Sequence, residues 1–521
     1  MNVADSNAQG NPSLIRLSPD QIGEQLNNLT QQLKATVVSA AKTGDSFDAV
    51  ERTVYASVLE LGRQAIELFL GLQGDGDRGP ELETSQGQKI VRSPKTHSTK
   101  LRSIFGQHSF EEFTYSPGNK QAICLRTISA RLSLPESRWS FLLQEFSQML
   151  DVDQAYDQAM GNLGKLFGGK FSVDTAERIN RQLGIAAGQF LADLPKPDAA
   201  SEGKLLVASA DCKGVPLVNE DSAKVAAFET AKKNPGNRRM ATVTSVYSVD
   251  PYVRSAEEIT AALFREDLPI DDPDKPRRPK PKNKNTTAHF PETADDGQGK
   301  EVAISGIHVG MAWTASQVAL RRRPGQVLIA LMDGQESLWE TFQLHMTFSG
   351  RTIPILDILH ALAYVWKAAG LFEDADSARK KFTRDRLLRI LKGDVRGVIQ
   401  GLRSLGTRRG LRGEQLKSLN QICGYLTKNA DRMRYDEYLR RGYPIASGVI
   451  EGACRHLVKD RMERSGMRWT LEGARSMLNV RAAFQSDHWQ SFLAWHKQKE
   501  VAAIHRHRDL IDGYIPNLLA V

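Results

Sequence analysis

Cysteine is scarce in this chain: four in 521 residues, at positions 124, 212, 423 and 454, with no CxxC pair. That spacing excludes a disulfide framework and a sequence-readable zinc finger. Long apolar runs are also missing. The longest, around Val327–Leu331, is strand-sized, and none reaches the roughly 18–20 residues that a membrane helix needs. Met1–Gly10 is polar and lacks the basic and apolar regions of a secretion signal. There is no P-loop and no solenoid repeat. These absences set the expectation of a soluble cytoplasmic protein with no membrane partner.

Hydrophobic residues make up 40% and charged residues 25%, so the chain has ordinary globular composition and global disorder is excluded. Its length suggests three or four folding units. With 70 Lys and Arg against 61 Asp and Glu, the net charge is +9. This leans weakly towards an acidic polymer as partner, so the placement of charge matters more than its sum.

Residues 1–75 read as two amphipathic helices. Ser18-Pro19-Asp20-Gln21 is an N-terminal cap for the first, and Val50, Val54, Val58, Leu61, Ala65 and Leu68 form a stripe on the second. Gly71–Thr99 reads as a break, Lys100–Leu125 as β-like and Glu136–Asp193 as mainly helical. Within the last, Ala155–Phe167 and Ser172–Leu183 flank a Gly-Gly break. That pattern suits a helix-turn-helix presenting Arg178 and Arg181, or a plain helical hairpin with solvated charges. Leu205–Ala210, Ala241–Val249 and Val327–Met332 read as central strands, apolar on both faces. Helical patterns dominate from Ile355 to Trp495. Between them, Lys275–Lys284 carries Lys275, Arg277, Arg278, Lys280, Lys282 and Lys284 among three prolines and no acid. It reads as a solvated loop, either a plain linker or an arm that tracks phosphates.

Asp211 and Asp333 each end an apolar run. Carboxylates at the ends of neighbouring strands converge on one sheet edge, where α/β sheets place their chemistry, although an Asp after a strand is often only a turn residue. A pair of hard divalent cations needs a third carboxylate. Glu451 is the candidate: Pro444 and Gly448 break the chain, Ser447 caps, and Glu451 enters a helix start, where an acid also complements the helix dipole. That helix is net basic, with Arg455, Lys459, Arg464 and Arg468 among its cations.

Asp211–Pro216 (DCKGVP), Arg239–Arg254 (RMATVTSVYSVDPYVR), Leu331–Gly334 (LMDG), Ile355–Trp366 (ILDILHALAYVW) and Tyr443–Trp469 (YPIASGVIEGACRHLVKDRMERSGMRW) resemble the DDE transposases of bacterial insertion sequences, the ISKra-like family in particular. The likeness spans roughly 200–490 and is most specific in the last segment. It implies an α/β RNase H-like core, a mixed five-stranded sheet with helices, carrying a catalytic triad that falls on Asp211, Asp333 and Glu451. The gap from Asp333 to Glu451 then implies an α-helical insertion at about 371–441. The remaining segments follow: an N-terminal helical region at 1–99, and a DNA-binding region at 100–200 with the helix-turn-helix candidate at 155–183. Core halves lie at 201–265 and 301–370, the basic linker at 266–300, the Glu helix and C-terminal helices at 442–500, and a tail at 501–521. Asp357 and His360 match an accessory Asp-x-x-His. Their alternative reading is a helix cap and a buried histidine. Relatives often carry cysteine pairs ahead of the core; only Cys124 stands there here.

The resemblance implies Mg²⁺, with Mn²⁺ as substitute, two ions being expected at the triad. It further implies double-stranded DNA, both element ends and target, as partner, and a homodimer or larger assembly on DNA in the bacterial nucleoid. The chemistry would be hydrolysis at the element's 3′ ends followed by attack of that 3′-OH on target DNA. Trp469, with Arg464 and Arg468, is a candidate for holding a frayed base, or a core tryptophan. Two other readings share the fold: a structure-specific nuclease and a domesticated DNA-binding protein without activity.

Overall fold

Ser18 opens the first helix with a reciprocal cap. Its hydroxyl accepts from the Gln21 amide, and the Gln21 side chain accepts from the Ser18 amide. The computed structural model describes residues 18–118, 120–226, 236–266, 277–295, 297, 299–346, 351–464 and 466–516. The chain divides into two compact units, Met1–Ile179 with Leu493–Val521, and Asn180–Phe492.

In the first unit, α1 (Pro19–Thr43) packs on α2 (Phe47–Gly71). Next come β1 (Glu81–Glu83), β2 (Lys89–Arg92), β3 (His97–Ser103), β4 (Gly106–Glu112), β5 (Thr114–Ser116) and β6 (Leu125–Arg126). They form an antiparallel sheet in the order β1-β2-β5-β6 and a β3–β4 hairpin. The expected break at Gly71–Thr99 therefore contains β1, β2 and the start of β3. ELE and KIVR hold too few apolar residues to show alternation, and pairing around buried Ile90 and Tyr115 supplies what local pattern lacks. Helices α3 (Thr127–Arg131), α4 (Phe141–Asp151), α5 (Tyr156–Phe167) and α6 (Val173–Ala192) follow. The helix-turn-helix candidate corresponds to α5 and α6. α6 runs past Leu183 to Ala192, and the division between units falls inside it.

The second unit is built on a five-stranded mixed sheet. Its elements begin with β7 (Leu205–Pro216), α7 (Asn219–Ala226), β8 (Arg238–Val249), α8 (Ala256–Phe264) and β9 (Lys282–His289), then a hairpin of β10 (Glu292–Asp295) and β11 (Glu301–Ile304). They continue through α9 (Gly306–Arg321), β12 (Val327–Met332), α10 (Glu336–His345), β13 (Thr352–Leu356) and α11 (Ile358–Phe372). The sheet order is β13-β12-β7-β8-β9; β7, β8 and β9 are antiparallel neighbours, while β12 runs parallel to both β7 and β13. The structure corrects two expectations here. Ile355 and Leu356 belong to edge strand β13, where Pro354 is tolerated, and the helix begins only at Ile358. Lys282–Lys284, expected in a solvated loop, are the first residues of β9; KNKNTTAH has one apolar residue and so carries no hydrophobic strand signal.

Side chains alternate across the sheet. Leu205, Val207, Ile329, Leu331, Ile353 and Ile355 face one core with α11 and the helical segment 371–441, namely α12 (Asp376–Leu391), α13 (Val395–Arg408), α14 (Gly413–Lys428) and α15 (Tyr435–Arg440). Leu206, Ala208, Leu328, Ala330 and Met332 face a second core with Met311, Val318 and Trp339 of α9 and α10. The chain then forms α16 (Gly448–Ala453), a π-helical stretch Cys454–Lys459, α17 (Asp460–Met462), α18 (Leu471–Gln485) and α19 (Trp489–Ile504). Leu331, fully buried between the sheet and the helical segment, provides a direct test. Leu331→Ala should cost about 2–5 kcal/mol in urea unfolding. A loss below about 1 kcal/mol would show that this layer is not packed as described.

Candidate metal centre

The strand register decides where the acids lie. Ala330 of β12 stands opposite Ala208 of β7, and continuing that register brings Asp333 level with Asp211. Met332 stands opposite Leu356 of β13, so Asp333 and Asp357 follow at the same level on the next strand. All three share the parity of Leu205, Ile329 and Ile353, hence one side of the sheet. Asp333 and Asp357 each follow a strand. Asp211 does not: β7 continues to Pro216, paired with β8 as far as Arg238. The apolar run stops at Ala210 because residues 211–214 are only half-buried, not because the strand ends.

Glu451 reaches the same side from the first turn of α16, whose Val449 packs on the same core. Asp357 joins the two parts. Its amide donates to the Met332 carbonyl at 2.9 Å, and the neighbouring Ile358 amide donates to Ile445 at 2.9 Å. Its side chain accepts from the Leu359 amide at 2.9 Å and from the Ser447 hydroxyl, just ahead of α16. Ligand atoms of Asp357, His360 and Glu451 lie within 4.8 Å of one another. Asp357 is both a helix cap and fully buried; Glu451 is exposed.

Burial, followed by the charges of Asp211 and Asp357, holds the Asp333 carboxyl above its ordinary range despite the Gln335 amide and His360. Burial does the same for Asp357, against hydrogen bonds from Ser447 and Leu359. Burial, then Asp357 and Asp211, raises Glu451. Among the described residues the ligand atoms close enough to share one ion are those of Asp357, His360 and Glu451, two carboxylates and an imidazole, while Asp211 and Asp333 lie outside that group on the same side of the sheet. Carboxylate oxygens held above their ordinary pKa range by burial are a setting that a hard divalent cation relieves.

Several contributors were not read from the sequence. Cys212 and Cys454 flank Asp211: the Cys212 amide donates to one oxygen at 2.7 Å and the Cys454 thiol to the other at 3.4 Å. Burial pushes the Cys212 thiol up to about 11 and raises Cys454 as well, so both stay protonated. The signals were adjacency to Asp211 and one-turn spacing from Glu451. The widened turn after Glu451 exposes carbonyls that buried Arg481 of α18 satisfies, donating to Leu457 at 2.8 Å and to His456. Tyr425 of α14, stacked on Tyr364 at 3.7 Å, lies so close to Gly334 that a Cβ there would sit 2.3 Å from its ring.

The expected nucleic-acid contacts are scattered. Arg455, Lys459, Arg464 and Arg468 are exposed around the Glu451 helix, with Arg455 3.8 Å from Asp460. Trp469 is buried, donating to the Met462 carbonyl at 3.2 Å, with Arg461 over its ring at 4.8 Å. The core alternative therefore holds, and its ring does not face solvent for stacking on a base. Arg178 is exposed on α6 and Arg181 half-buried. Lys275 lies outside the described residues. Arg277 is exposed, Lys282 pairs with Asp250 at 2.9 Å, and Lys284 is half-buried in β9. Arg278 and Lys280 line a cavity of about 340 Å³ with Tyr247, Arg254 and the 442–449 loop that precedes Glu451.

No protein-family model matches the chain, and no curated protein sequence matches it significantly. Among the described residues no helix is long and apolar enough to cross a membrane.

The raised carboxyls carry a sign. A carboxyl whose folded pKa lies above its unfolded value favours folding below that range and loses this contribution as pH rises through it. Without metal, the stability these groups contribute should therefore be lost as pH rises above the ordinary carboxyl range of about 4. Mg²⁺ or Mn²⁺ at about pH 7.5 should raise the melting temperature. Asp333→Asn should raise the metal-free value and remove the metal response. Equal metal response in wild type and variant, followed by thermal unfolding, would take Asp333 out of any metal site.

Proposed function

We propose that the chain is a metal-dependent DNA strand-transfer enzyme, a DDE transposase with an RNase H-like core. The observation that carries this reading is the alignment of Asp211, Asp333 and Asp357 at one level of one sheet face, with Glu451 reaching the same face from a helix. An RNase H-like core is supported by the order of the sheet: three antiparallel strands first, then two parallel strands added on the other side of β7. The helical segment between the second Asp and the Glu agrees with the insertion the family resemblance implies.

Asp211, Asp333 and Glu451 would hold the metal, because they are the more accessible carboxylates. A pair of bound divalent ions supplies an activated oxygen nucleophile and neutralises the leaving oxygen of a phosphodiester. Asp357, buried and engaged by Ser447 and Leu359, is suited to positioning the Glu451 loop rather than to taking an ion itself. Protonated Cys454 orients Asp211 by hydrogen bonding. Arg278 and Lys280, on the cavity beside the Glu451 loop, are suited to holding a phosphate near the acids.

The direct test uses a supercoiled plasmid carrying the gene with its native flanking DNA, purified protein and Mg²⁺ or Mn²⁺, with 3′ ends mapped. Wild type should cut at matched inverted sequences and join those ends to target. Asp333→Asn and Glu451→Gln should lose cleavage by at least about 100-fold while binding end DNA nearly as wild type does. Cuts without flank preference or joining would point to a nuclease instead, and wild-type-like cleavage by either variant would remove that residue from the site. Arg278→Ala with Lys280→Ala should flatten the salt dependence of DNA binding by up to about two in log–log slope; an unchanged slope would leave them as structural residues only.

A further inference from the structure

Charge is not spread evenly over this chain. The helical segment 371–441 holds 18 Lys and Arg against 9 Asp and Glu, a net +9 equal to that of all 521 residues, so everything outside it is electrically balanced. Some of its cations are answered by acids. Arg384 meets Glu266 at 2.6 Å, Lys392 meets Glu257 at 2.7 Å and Arg389 meets Asp394 at 2.6 Å. The excess collects further on. From Val395 to Gly413 there are five arginines, Arg396, Arg403, Arg408, Arg409 and Arg412, and no acid. All five are exposed, and none forms an ion pair among the described residues.

The backbone beneath them is fixed. α13 buries Val395, Val398, Ile399, Leu402 and Gly406, in a core continuous with the central sheet. Arg396 and Arg403 are seven residues apart, which puts them on one outward face about 10 Å apart. Arg408 stands about 120–140° round the helix from these two, and with Arg409 and Arg412 it carries the exposed cationic surface round the end of α13 and through the turn into α14, made tight by Gly410 and Gly413 at φ 64° and 54°. Helix stability does not explain the set. Arginine at the end of α13 complements the helix dipole, but Arg396 stands in the first turn, where a cation opposes it. The choice of arginine at all five positions suits bidentate contact with phosphate rather than simple solubility.

We infer that the solvent-exposed side of α13 and its turn into α14 is a docking surface for the phosphate backbone of double-helical DNA, read without regard to sequence. This rests on the proposed function for the class of partner and adds the surface that holds it. The same helical segment presses Tyr425 against Gly334, next to Asp333, so a duplex lying on α13 is held by the body that also carries the acids.

The test measures binding of the full-length chain to a duplex of about 30 base pairs and arbitrary sequence, without divalent metal, between about 50 and 300 mM salt. Combined Arg396→Ala, Arg408→Ala, Arg409→Ala and Arg412→Ala should lower the log–log salt slope by about 3–4 and weaken binding more than about 10-fold at mid-range salt. The matched four-lysine variant should recover most of the slope. Removing four exposed lysines elsewhere, Lys34, Lys42, Lys165 and Lys196, equals the change in net charge and should leave the slope close to wild type. Thermal unfolding of each variant establishes that it is folded. A wild-type slope in the folded arginine variant overturns the proposal, as does an equal loss in the lysine control or tighter binding of single-stranded RNA than of duplex. Failure of wild type to bind any duplex overturns the proposed function as well, whereas loss confined to the α13 variant supports the surface whether or not the acids cleave.

Discussion

Two like unit charges about 4 Å apart repel by about 4 kcal/mol at an effective dielectric near 20. Burial first, and then neighbouring carboxylates for Asp333 and Glu451, raises the carboxyls of Asp333, Asp357 and Glu451, and the second unit is arranged to keep these acids and Asp211 on one side of the sheet. The main restraint is strand register. Slipping β12 by one residue against β7 would turn Asp333 to the opposite side and expose Ile329 and Leu331 to the wrong core. Two apolar layers hold that register, so packing on both faces of the sheet maintains an electrostatically unfavourable edge.

Glu451 is held by a different device. The loop before it is tied to β13 through Asp357, by the Ser447 hydroxyl and the Ile358–Ile445 backbone bond. Beyond it, the wide turn at Cys454–Lys459 leaves carbonyls that would be costly to bury unpaired, and Arg481 answers two of them. This widened turn also seats Cys454, whose thiol meets Asp211. A cation bound at the acids would thus relieve repulsion that packing, a buried serine–aspartate bond and a buried arginine otherwise contain.

Much of this was legible because local rules and global fold agree. The Ser18 cap, the apolar runs of β7, β8 and β12, and the placing of Asp333 after a strand and Glu451 at a helix start all follow from short-range pattern. What short-range pattern does not reveal depends on partners distant in sequence. KNKNTTAH became β9 only because β8 offers it a ladder of backbone pairs, reinforced by hydroxyl contacts from Thr244 to Thr287 and from Ser245 to Thr286. Asp211 looked terminal because burial, not the strand, ends there. For Trp469 the sequence leaves a base-stacking and a core role open, and only the fold, in which Met462 and Arg461 meet its ring, decides for the core. The thiol of Cys454 meets Asp211 only because the fold brings the π-helical stretch Cys454–Lys459 against β7.

That these acids form one divalent-metal centre is the central claim. Anomalous diffraction from a crystal of the full chain soaked in Mn²⁺ tests it most directly. Two peaks about 3.5–4 Å apart are expected, ligated by Asp211, Asp333 and Glu451, with Asp357 still bonded to Ser447. A single peak on Asp357, His360 and Glu451 that leaves Asp211 and Asp333 free, or no peak at saturating Mn²⁺, would contradict it.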